Sequence, residues 1–172
     1  MKLESPSERL KESYLSLVEE FRQRGEPYVP FVLKFPTDDF RAFLRRLQAC
    51  AEGSGLPRGF VPHETFWLVD GDEQVVGVSN LRHSLTDALR REGGHIGYGI
   101  RPYARRRGYA TLILRETLKL ARKRGIELAL VTCDKGNIGS VKAIQRNGAY
   151  FESEELLPGQ TDLKQRYWIP LL

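Results

Sequence analysis

The chain has 172 residues, of which 41% are hydrophobic and 28% are charged, and its formal net charge is +5. This length and composition are ordinary for one globular domain with a full hydrophobic core. No apolar run approaches the ~18 residues of a membrane span, and the N-terminus lacks an apolar signal region, so we expect a cytoplasmic protein without a membrane partner. The cysteines, Cys50 and Cys133, lack C-x-x-C spacing, which indicates neither a zinc site nor a disulfide framework.

Two helices are predicted in the first part of the chain. The run Ser5-Pro6-Ser7-Glu8 has the form of a capping box with proline at the first helical position, and apolar residues then recur at helical spacing until Gly25. A second helix is indicated by the apolar residues of segment 40–47. Segment 53–59 is rich in glycine and contains a proline, so it is expected to form a loop.

The middle of the chain predicts a β-hairpin and a further strand. Segments 65–69 and 75–81 flank the turn sequence Asp70-Gly71-Asp72-Glu73, which is typical of a hairpin. A polar connection ending at Gly94 follows. The next strand covers segment 95–100 and is stopped by Pro102.

Helix and strand then alternate. Segment 111–124 predicts an amphipathic helix with Gly125 as its C′ glycine. Segment 126–133 is apolar apart from Glu127, so it should be a central strand buried on both faces. A short helix capped by Asn137 is expected to turn three apolar residues inward, namely Ile138, Val141 and Ile144. With closing strands over 150–155 and 164–169, the order of elements describes a single mixed α/β domain.

Basic residues are concentrated between Arg101 and Arg124. This segment holds nine basic residues and one acidic residue, Glu116, so it carries +8 while the rest of the chain carries −3. Such a local excess points to a bound polyanion. Several of these cations also lie on the polar side of the predicted helix, where a solvated face is the simpler interpretation, so the anion site is expected only in the loop and first turn.

The loop Arg105-Arg106-Arg107-Gly108-Tyr109-Ala110 lies between a predicted strand and a predicted helix. A helix start offers free backbone N–H donors and the positive end of the helix dipole. Gly108 would let a diphosphate approach the backbone without a Cβ in the way, and the arginines add forked donors. The loop is therefore predicted to bind phosphate.

Three motifs follow one another in a fixed order. Ile100 precedes Arg105-x-x-Gly108-x-Ala110 at a helix start, a buried strand comes next, and Asn137-x-x-Ser140 opens a short helix. The first motif alone is weak, but its place between strand and helix, ~27 residues before the second motif, makes it specific. In this combination the chain resembles the GNAT superfamily of acetyl-CoA-dependent N-acetyltransferases, from about Phe66 to Trp168, and most closely an uncharacterised subgroup of predicted acetyltransferases.

The resemblance implies a three-layer α/β fold in which helices flank a central mixed β-sheet. One splayed pair of strands, opened by a bulge, would form the slot for acetyl-CoA. Residues 1–172 would form one domain, with the acceptor-side helices and loop in 1–62 and the acetyl-CoA core in 63–172. The implied reaction moves an acetyl group to a primary amine by direct attack on the thioester, without a metal. The acceptor, a small-molecule or peptide amine, stays open, as does the choice between monomer and homodimer.

The resemblance also assigns cofactor contacts. Backbone N–H groups of the loop would hold the diphosphate, and the edge of the preceding strand would pair with the pantetheine arm. Asn137 would contact pantetheine and cap its helix. The cofactor-binding residues implied in this way are Tyr98, Gly99, Ile100, Arg105, Arg106, Arg107, Gly108, Tyr109, Ala110, Thr111, Asn137 and Ser140.

The resemblance leaves the catalytic groups more open. Many relatives carry a tyrosine seven residues after the asparagine, where it protonates the departing thiolate, and this chain has Ile144 there. Ser140, water or the amine's own proton is left to protonate the thiolate, or the thiolate leaves unassisted. For the base, many relatives have a glutamate at the position of His95, and histidine titrates near neutrality as a base or water relay should. A histidine satisfied by local hydrogen bonds is the alternative.

Other side chains are weaker candidates. Arg82 and His83 follow a predicted strand and either face the acceptor pocket or lie at a solvated strand end. Glu64 is an alternative base. Tyr98 and Trp168 are interpreted first as aromatics of the core or of the pocket wall.

Two other functions share parts of this pattern. A non-catalytic acyl-CoA-binding sensor would keep the cofactor motifs, and the missing tyrosine at Ile144 favours it. A nucleic-acid-binding protein would also concentrate arginines, but the basic helix has no interleaved aromatic residues to serve as a stacking platform. We therefore expect no nucleic-acid partner, and turnover with a panel of amines separates enzyme from sensor.

Overall fold

Seven strands and five α-helices make up the part of the chain that the computed structural model describes, residues 1–171. The strands are β1 (Lys2–Glu4), β2 (His63–Val69), β3 (Val75–Arg82), β4 (Ile96–Ile100), β5 (Leu128–Asp134), β6 (Tyr150–Leu156) and β7 (Leu163–Pro170). The helices are α1 (Lys11–Arg24), α2 (Phe40–Glu52), α3 (Asp87–Arg91), α4 (Tyr109–Lys123) and α5 (Ile138–Arg146). None of these helices combines the length and apolar composition that a membrane span needs.

The strands form two antiparallel sheets, with orders β1-β2-β3-β4 and β5-β7-β6. The sheets contact each other where the His95 N–H donates to the Leu130 carbonyl at 2.7 Å. Beyond this contact β4 pairs only with β3, so β4 and β5 separate, which confirms the predicted splayed pair. The prediction of a bulge in β4 is wrong, because the strand pairs with β3 from Ile96 to Ile100 without a shift in register.

One hydrophobic core lies between helices α1 and α2 and the first sheet. Tyr14 stacks on Trp67 at a ring-centroid distance of 4.5 Å, and Phe43 stacks on the same tyrosine at 5.1 Å. The predicted capping box at the start of α1 is wrong. Residues Lys2–Glu4 pair with β2 instead, and the first helical turn is a 3-10 turn over Glu8–Leu10, so Pro6 is not its first residue. Ser7 occupies the cap position, and its side chain makes no capping hydrogen bond.

A second core lies between α4, α5 and the second sheet. The predicted apolar face of α4 is confirmed, because its members from Ile113 to Ala121 are buried. In α5, Ile144 is fully buried, but Ile138 is 57% exposed, since it occupies the first helical position and points away from the sheet. Helix α3, absent from the sequence prediction, is capped by the Thr86 hydroxyl, which accepts from the Leu89 N–H.

Candidate functional site

A cavity of about 830 Å³ fills the gap between β4 and β5. Its walls come from β4 and β5, from the first turns of α4 and α5, from segment 26–31 after α1, and from Glu92 and Gly93 before β4. This volume is within the usual range for small-molecule and cofactor sites. All residues implied as cofactor-binding line it except Arg107, which is exposed and outside the wall.

One end of the cavity is the N-terminus of α4. Gly108 caps the helix with φ +81°, and a Cβ built on it would meet no atom within 4 Å, so the space over this residue is open. The Leu112 N–H is the first to bond back to the cap, through the Gly108 carbonyl. The backbone N–H groups of Tyr109, Ala110 and Thr111 therefore precede the helical ladder and have no backbone partner, and all three residues line the cavity.

The basic segment divides into paired and unpaired cations. Arg101 is buried and bonded to Glu20. Arg105 donates to the Ile100 carbonyl at 3.0 Å and pairs with Glu26 at 2.6 Å. Arg101 therefore belongs to the core, and Arg105 lines the cavity with an acidic partner already in place.

Three cations remain on the cavity wall at this end. Arg106 comes from the loop and has φ +63°, while Lys142 and Arg146 come from α5. None of the three has an acidic partner within residues 1–171 at ion-pair distance. Lys142 and Arg146 were not predicted from the sequence, because they lie outside the basic segment from Arg101 to Arg124.

Asn137 and Ser140 lie at the start of α5. The Ser140 N–H donates to Asn137 Oδ1 at 3.1 Å, so the asparagine caps the helix as predicted. Both residues also line the cavity. The cap leaves the Asn137 amide N–H₂ free for a second partner.

Tyr98 forms part of the cavity wall on the face of β4 that also carries Ile96 and Ile100. Its hydroxyl is buried and has no hydrogen-bond partner among the described residues. Burial raises the pKa of Tyr98 above its ordinary value, and the nearby Ser140 hydroxyl, which does not reach hydrogen-bond geometry, opposes only part of that rise. The phenol is thus held protonated, with its donor unused.

The position of the missing tyrosine does not reach the cavity. Ile144 is fully buried and packs in one hydrophobic cluster with Leu114 and Leu118. A tyrosine could replace it only if this core rearranged. A general acid at this position is therefore not available in this chain.

His95 is placed where a general base is hard to accommodate. Its ring lies outside the cavity wall, and its Nδ1 accepts the Leu130 N–H at 2.9 Å. Burial lowers the pKa of His95 to about 4, with Arg90 and Arg82 contributing. These contacts favour the alternative stated above, a histidine satisfied by local hydrogen bonds that joins the two sheets.

The other candidate polar groups divide in two. Glu64 pairs with Arg124 at 2.5 Å and lies 3.5 Å from His83 Nε2, and none of these three residues lines the large cavity. Trp168 is half-buried on β7 and donates to Glu152 at 2.8 Å, also away from the cavity. Arg82 does line the cavity, as one of the two predictions for it required.

The end of the cavity opposite α4 is covered by the segment after α1. The Val29 carbonyl lies 2.0 Å from where a Cβ of Gly99 would be, so only glycine allows this approach. Pro30 lies 3.5 Å from the corresponding point on Gly97. The segment thus crosses β4 directly, in the region that the sequence analysis reserved for the acceptor.

A charged cluster at this end was missed by the sequence analysis. Lys164 Nζ lies 2.5 Å from Asp134 Oδ1 and 3.1 Å from Glu92 Oε1, and all three line the cavity. Burial works against the charge on Lys164, but these hydrogen bonds outweigh it and raise its pKa. The three residues come from separate strands and loops, so no local motif marked them. Residues 1–171 contain no group of three or more His, Cys, Asp or Glu that could hold a metal ion.

Comparison with known proteins agrees with this architecture. A family model described as an acetyltransferase (GNAT) domain matches residues 9–150. No curated protein matches the sequence.

Solved structures share the fold at low sequence identity. RimL, a ribosomal alpha-N-protein acetyltransferase in complex with coenzyme A, aligns with a TM-score of 0.70 and 15% identity over 98% of this chain and 93% of that one. A dodecameric spermidine N-acetyltransferase from Vibrio cholerae aligns with a TM-score of 0.65 and 12% identity over 99% and 93%. The putative acetyltransferase yncA from Salmonella typhimurium, with its cofactor acetyl-CoA, gives 0.64 and 12% over 99% and 93%.

The family match spans most of the chain and ends where β6 begins, so it includes β4, β5 and the helix start at Gly108. The strand pair that separates in this structure is the one the family resemblance required. On this combined ground the chain belongs to the GNAT acetyltransferases and is an acyltransferase.

Proposed function

We propose that this protein transfers the acetyl group of acetyl-CoA to a primary amine. The observation that carries the proposal is the cavity between β4 and β5, which ends at three unpartnered backbone N–H groups and an open glycine at the start of α4. Such a helix start binds phosphate through its N–H donors and its dipole. Acetyl-CoA supplies a thioester, whose carbonyl carbon bonds to the amine nitrogen as its bond to sulfur breaks.

The residues fit a diphosphate at this end. The N–H groups of Tyr109, Ala110 and Thr111 would donate to its oxygens, and Gly108 leaves the approach free. Arg106 adds a cation from the loop. Lys142 and Arg146 add two more from the facing helix, in the place where further phosphate charge would be neutralised.

The pantetheine arm would lie along β4. From Tyr98 to Ile100 this strand has β3 on one side and no strand on the other, so its free edge can pair with an extended amide chain. The Asn137 amide, whose oxygen caps α5, would donate its free N–H₂ to the same arm. A backbone N–H near Ile100 would polarise the thioester carbonyl.

Tyr98 would donate a proton to the departing thiolate. Its hydroxyl is buried in the cavity wall and its raised pKa keeps it protonated. The same burial would raise the basicity of a thiolate formed beside it, so that the proton can pass to the sulfur. Ser140 would pass the replacement proton from solvent. This pair replaces the tyrosine that the chain lacks at Ile144.

The amine must lose its proton before it attacks, because an alkyl ammonium has a pKa near ~10.4. The carboxylates of Glu92 and Asp134 lie at the acceptor end of the cavity, where they would attract the ammonium and the water that takes its proton. His95 does not accept this proton in the proposed reaction, because its Nδ1 already accepts a hydrogen bond from the Leu130 N–H. His95 as base stays a prediction, tested in the Discussion.

The experiment that tests the proposal combines binding with turnover. Acetyl-CoA should raise the melting temperature by linkage, and release of free thiol should follow when amines of different classes are added. Binding without any thiol release would favour the alternative of a non-catalytic sensor. No binding would overturn the placement of the cofactor.

A further inference from the structure

Arg82 is a cation without an anion inside the cavity. It ends β3, and its Nη1 donates to two backbone carbonyls, those of Gly93 at 3.0 Å and Gly94 at 3.2 Å. No carboxylate within the described chain comes to ion-pair distance of it. Burial lowers the pKa of Arg82 to about 10, which reflects the cost of keeping this charge away from water. An incoming anion would offset that cost.

The guanidinium lies next to the strand that forms the slot. Both of its Nη atoms are 3.8 Å from where a Cβ of Gly97 would be, and its Cζ lies 5.5 Å from the centre of the Phe31 ring. Gly97 and Phe31 line the same cavity. Because Nη2 and Nε are not used by the two carbonyls, the fork is free to bind a carboxylate through two hydrogen bonds.

An excess of negative charge lies beside this cation. Glu92 and Asp134 share a single cationic partner, Lys164, so the cluster carries a net charge of −1. Glu92 is adjacent in sequence to Gly93, whose carbonyl holds Arg82. The acceptor end of the cavity thus presents an unpaired positive group and an acidic cluster in the same wall.

We infer that the acceptor is a zwitterion, an amine with a carboxylate close to it, such as an amino acid or a small derivative. This rests on the proposed function and names its substrate class. The ammonium would approach Glu92 and Asp134, and the carboxylate would bind Arg82. This arrangement excludes a plain polyamine, because Arg82 would repel a second positive charge where the carboxylate should be.

A smaller cavity, which shares Phe31 with the first, would receive the side chain of this acceptor. It measures about 230 Å³ and is lined mainly by apolar and aromatic residues of the α1 to α2 connection, α2 and the following loop. Phe31 lines both cavities, and its ring contacts Phe35, Phe60 and His63 edge-on at 5.1–5.8 Å. An apolar cavity of about 150 Å³ holds one benzene ring. The smaller cavity therefore has room for a phenyl or branched aliphatic side chain.

The experiment uses pairs of acceptors that differ only in the carboxylate. Phenylalanine is compared with phenethylamine, and leucine with 3-methylbutylamine, by initial rates of coenzyme A release referred to the unprotonated amine. The amino acids should give kcat/KM about 10- to 100-fold higher, as expected for a charged hydrogen-bonded contact. Phenylalanine should also exceed alanine, and Ala49→Leu, which fills the smaller cavity, should remove that second difference.

Arg82→Gln should abolish the preference for the carboxylate, so that each amino acid and its plain amine are used with similar kcat/KM. Arg82→Lys keeps the charge without the fork and should retain part of the preference, which serves if the glutamine variant folds poorly. Arg90→Gln is the matched control, because Arg90 is exposed on α3 and outside the cavity wall. It should behave as the unaltered protein does.

Two results would overturn the inference. Equal use of amino acids and their decarboxylated partners, unaltered in Arg82→Gln, would remove Arg82 from acceptor binding. Turnover confined to polyamines or to peptide N-termini would do the same, because neither places a carboxylate next to the amine. Both results leave acetyl-CoA turnover intact. The absence of acetyl-CoA binding and of thiol release with every acceptor would instead contradict the proposed function itself.

Discussion

The two ends of the cavity are built in different ways. The α4 end is formed by consecutive residues, from Arg105 to Thr111, and offers exposed backbone donors. The acceptor end is assembled from four places far apart in the sequence, with Arg82, Glu92, Asp134 and Lys164 on different strands and loops. Backbone recognition at the first end tolerates many side chains, whereas the second end depends on the identity of each one.

This difference has a consequence for evolution of the site. A cofactor common to a family can be held by a helix start and a glycine, since both are properties of the fold. The acceptor is selected by side chains, so a few substitutions at the second end would change the substrate without disturbing the first. Variants at each end should accordingly fail in different ways.

The largest effect is expected at the cofactor end. Gly108→Glu should abolish the rise in melting temperature that acetyl-CoA causes, because it places a side chain and a negative charge against the diphosphate. The substitution also introduces backbone strain of about 1–2 kcal/mol, since Gly108 has φ +81°. Gly125→Glu is the matched control at the other end of α4, with φ +83° and the same open surroundings.

The comparison between the two glycine variants is made by differential scanning fluorimetry with and without acetyl-CoA. Both should lose similar stability, and only Gly125→Glu should keep the ligand-induced rise. At 100 times the Kd a ligand adds about 2.7 kcal/mol, so its loss is easy to measure. If the two variants respond alike, the diphosphate does not bind at the start of α4.

The features of the α4 end of the cavity are the ones that could be predicted from the sequence. Gly108, Asn137 and the apolar face of α4 are local patterns, and a local pattern can be read from one sequence. The cluster of Glu92, Asp134 and Lys164 could not be predicted, because tertiary folding alone brings these residues together.

The ring orientation of His95 could not be predicted from the sequence either. Its position in the sequence matched a catalytic one, but its ring orientation is decided by Leu130, from a strand of the other sheet. The capping box predicted over Ser5–Glu8 failed for a related reason, since pairing of β1 with β2 holds the residues just before it extended. In both cases a long-range backbone contact prevailed over a local signal.

A smaller effect, confined to turnover, is expected between the two ends. Tyr98→Phe should lower kcat by about 10², the usual contribution of a general acid, while acetyl-CoA affinity stays the same. Tyr14→Phe is the control, because it removes another buried hydroxyl without a partner, in the core away from the cavity. Steady-state kinetics and a binding titration on both variants suffice. Equal turnover of Tyr98→Phe and Tyr14→Phe would mean that Tyr98 only forms part of the cavity wall and is not the general acid.

The smallest effect on catalysis is expected at His95, and here stability is the useful measurement. Burial lowers the pKa values of His63 and His95 from 6.5 to about 4. Between pH 6.5 and 4 these histidines are protonated in the unfolded chain but not in the folded protein. The free energy of unfolding is therefore highest above pH 6.5 and falls as the pH drops towards 4. The loss approaches about 3 kcal/mol for each histidine.

Urea unfolding at several pH values tests this assignment. His95→Gln should reduce the loss of stability between pH 6.5 and 4 by about half, because His63 still contributes, and should keep turnover at neutral pH within about threefold. A fall in turnover of about 10² with an unchanged pH dependence of stability would contradict it. That result would return His95 to the role of general base.

The most direct test of the account is hydrogen exchange of the backbone N–H groups with and without acetyl-CoA. The amides of Tyr109, Ala110 and Thr111 have no helical partner, so only a ligand at the start of α4 would protect them. We expect their exchange to slow on addition of acetyl-CoA, together with that of the free edge of β4, while α2 stays unchanged. Saturating acetyl-CoA that leaves these three amides exchanging as before would contradict the central claim that the cavity between β4 and β5 is the cofactor site.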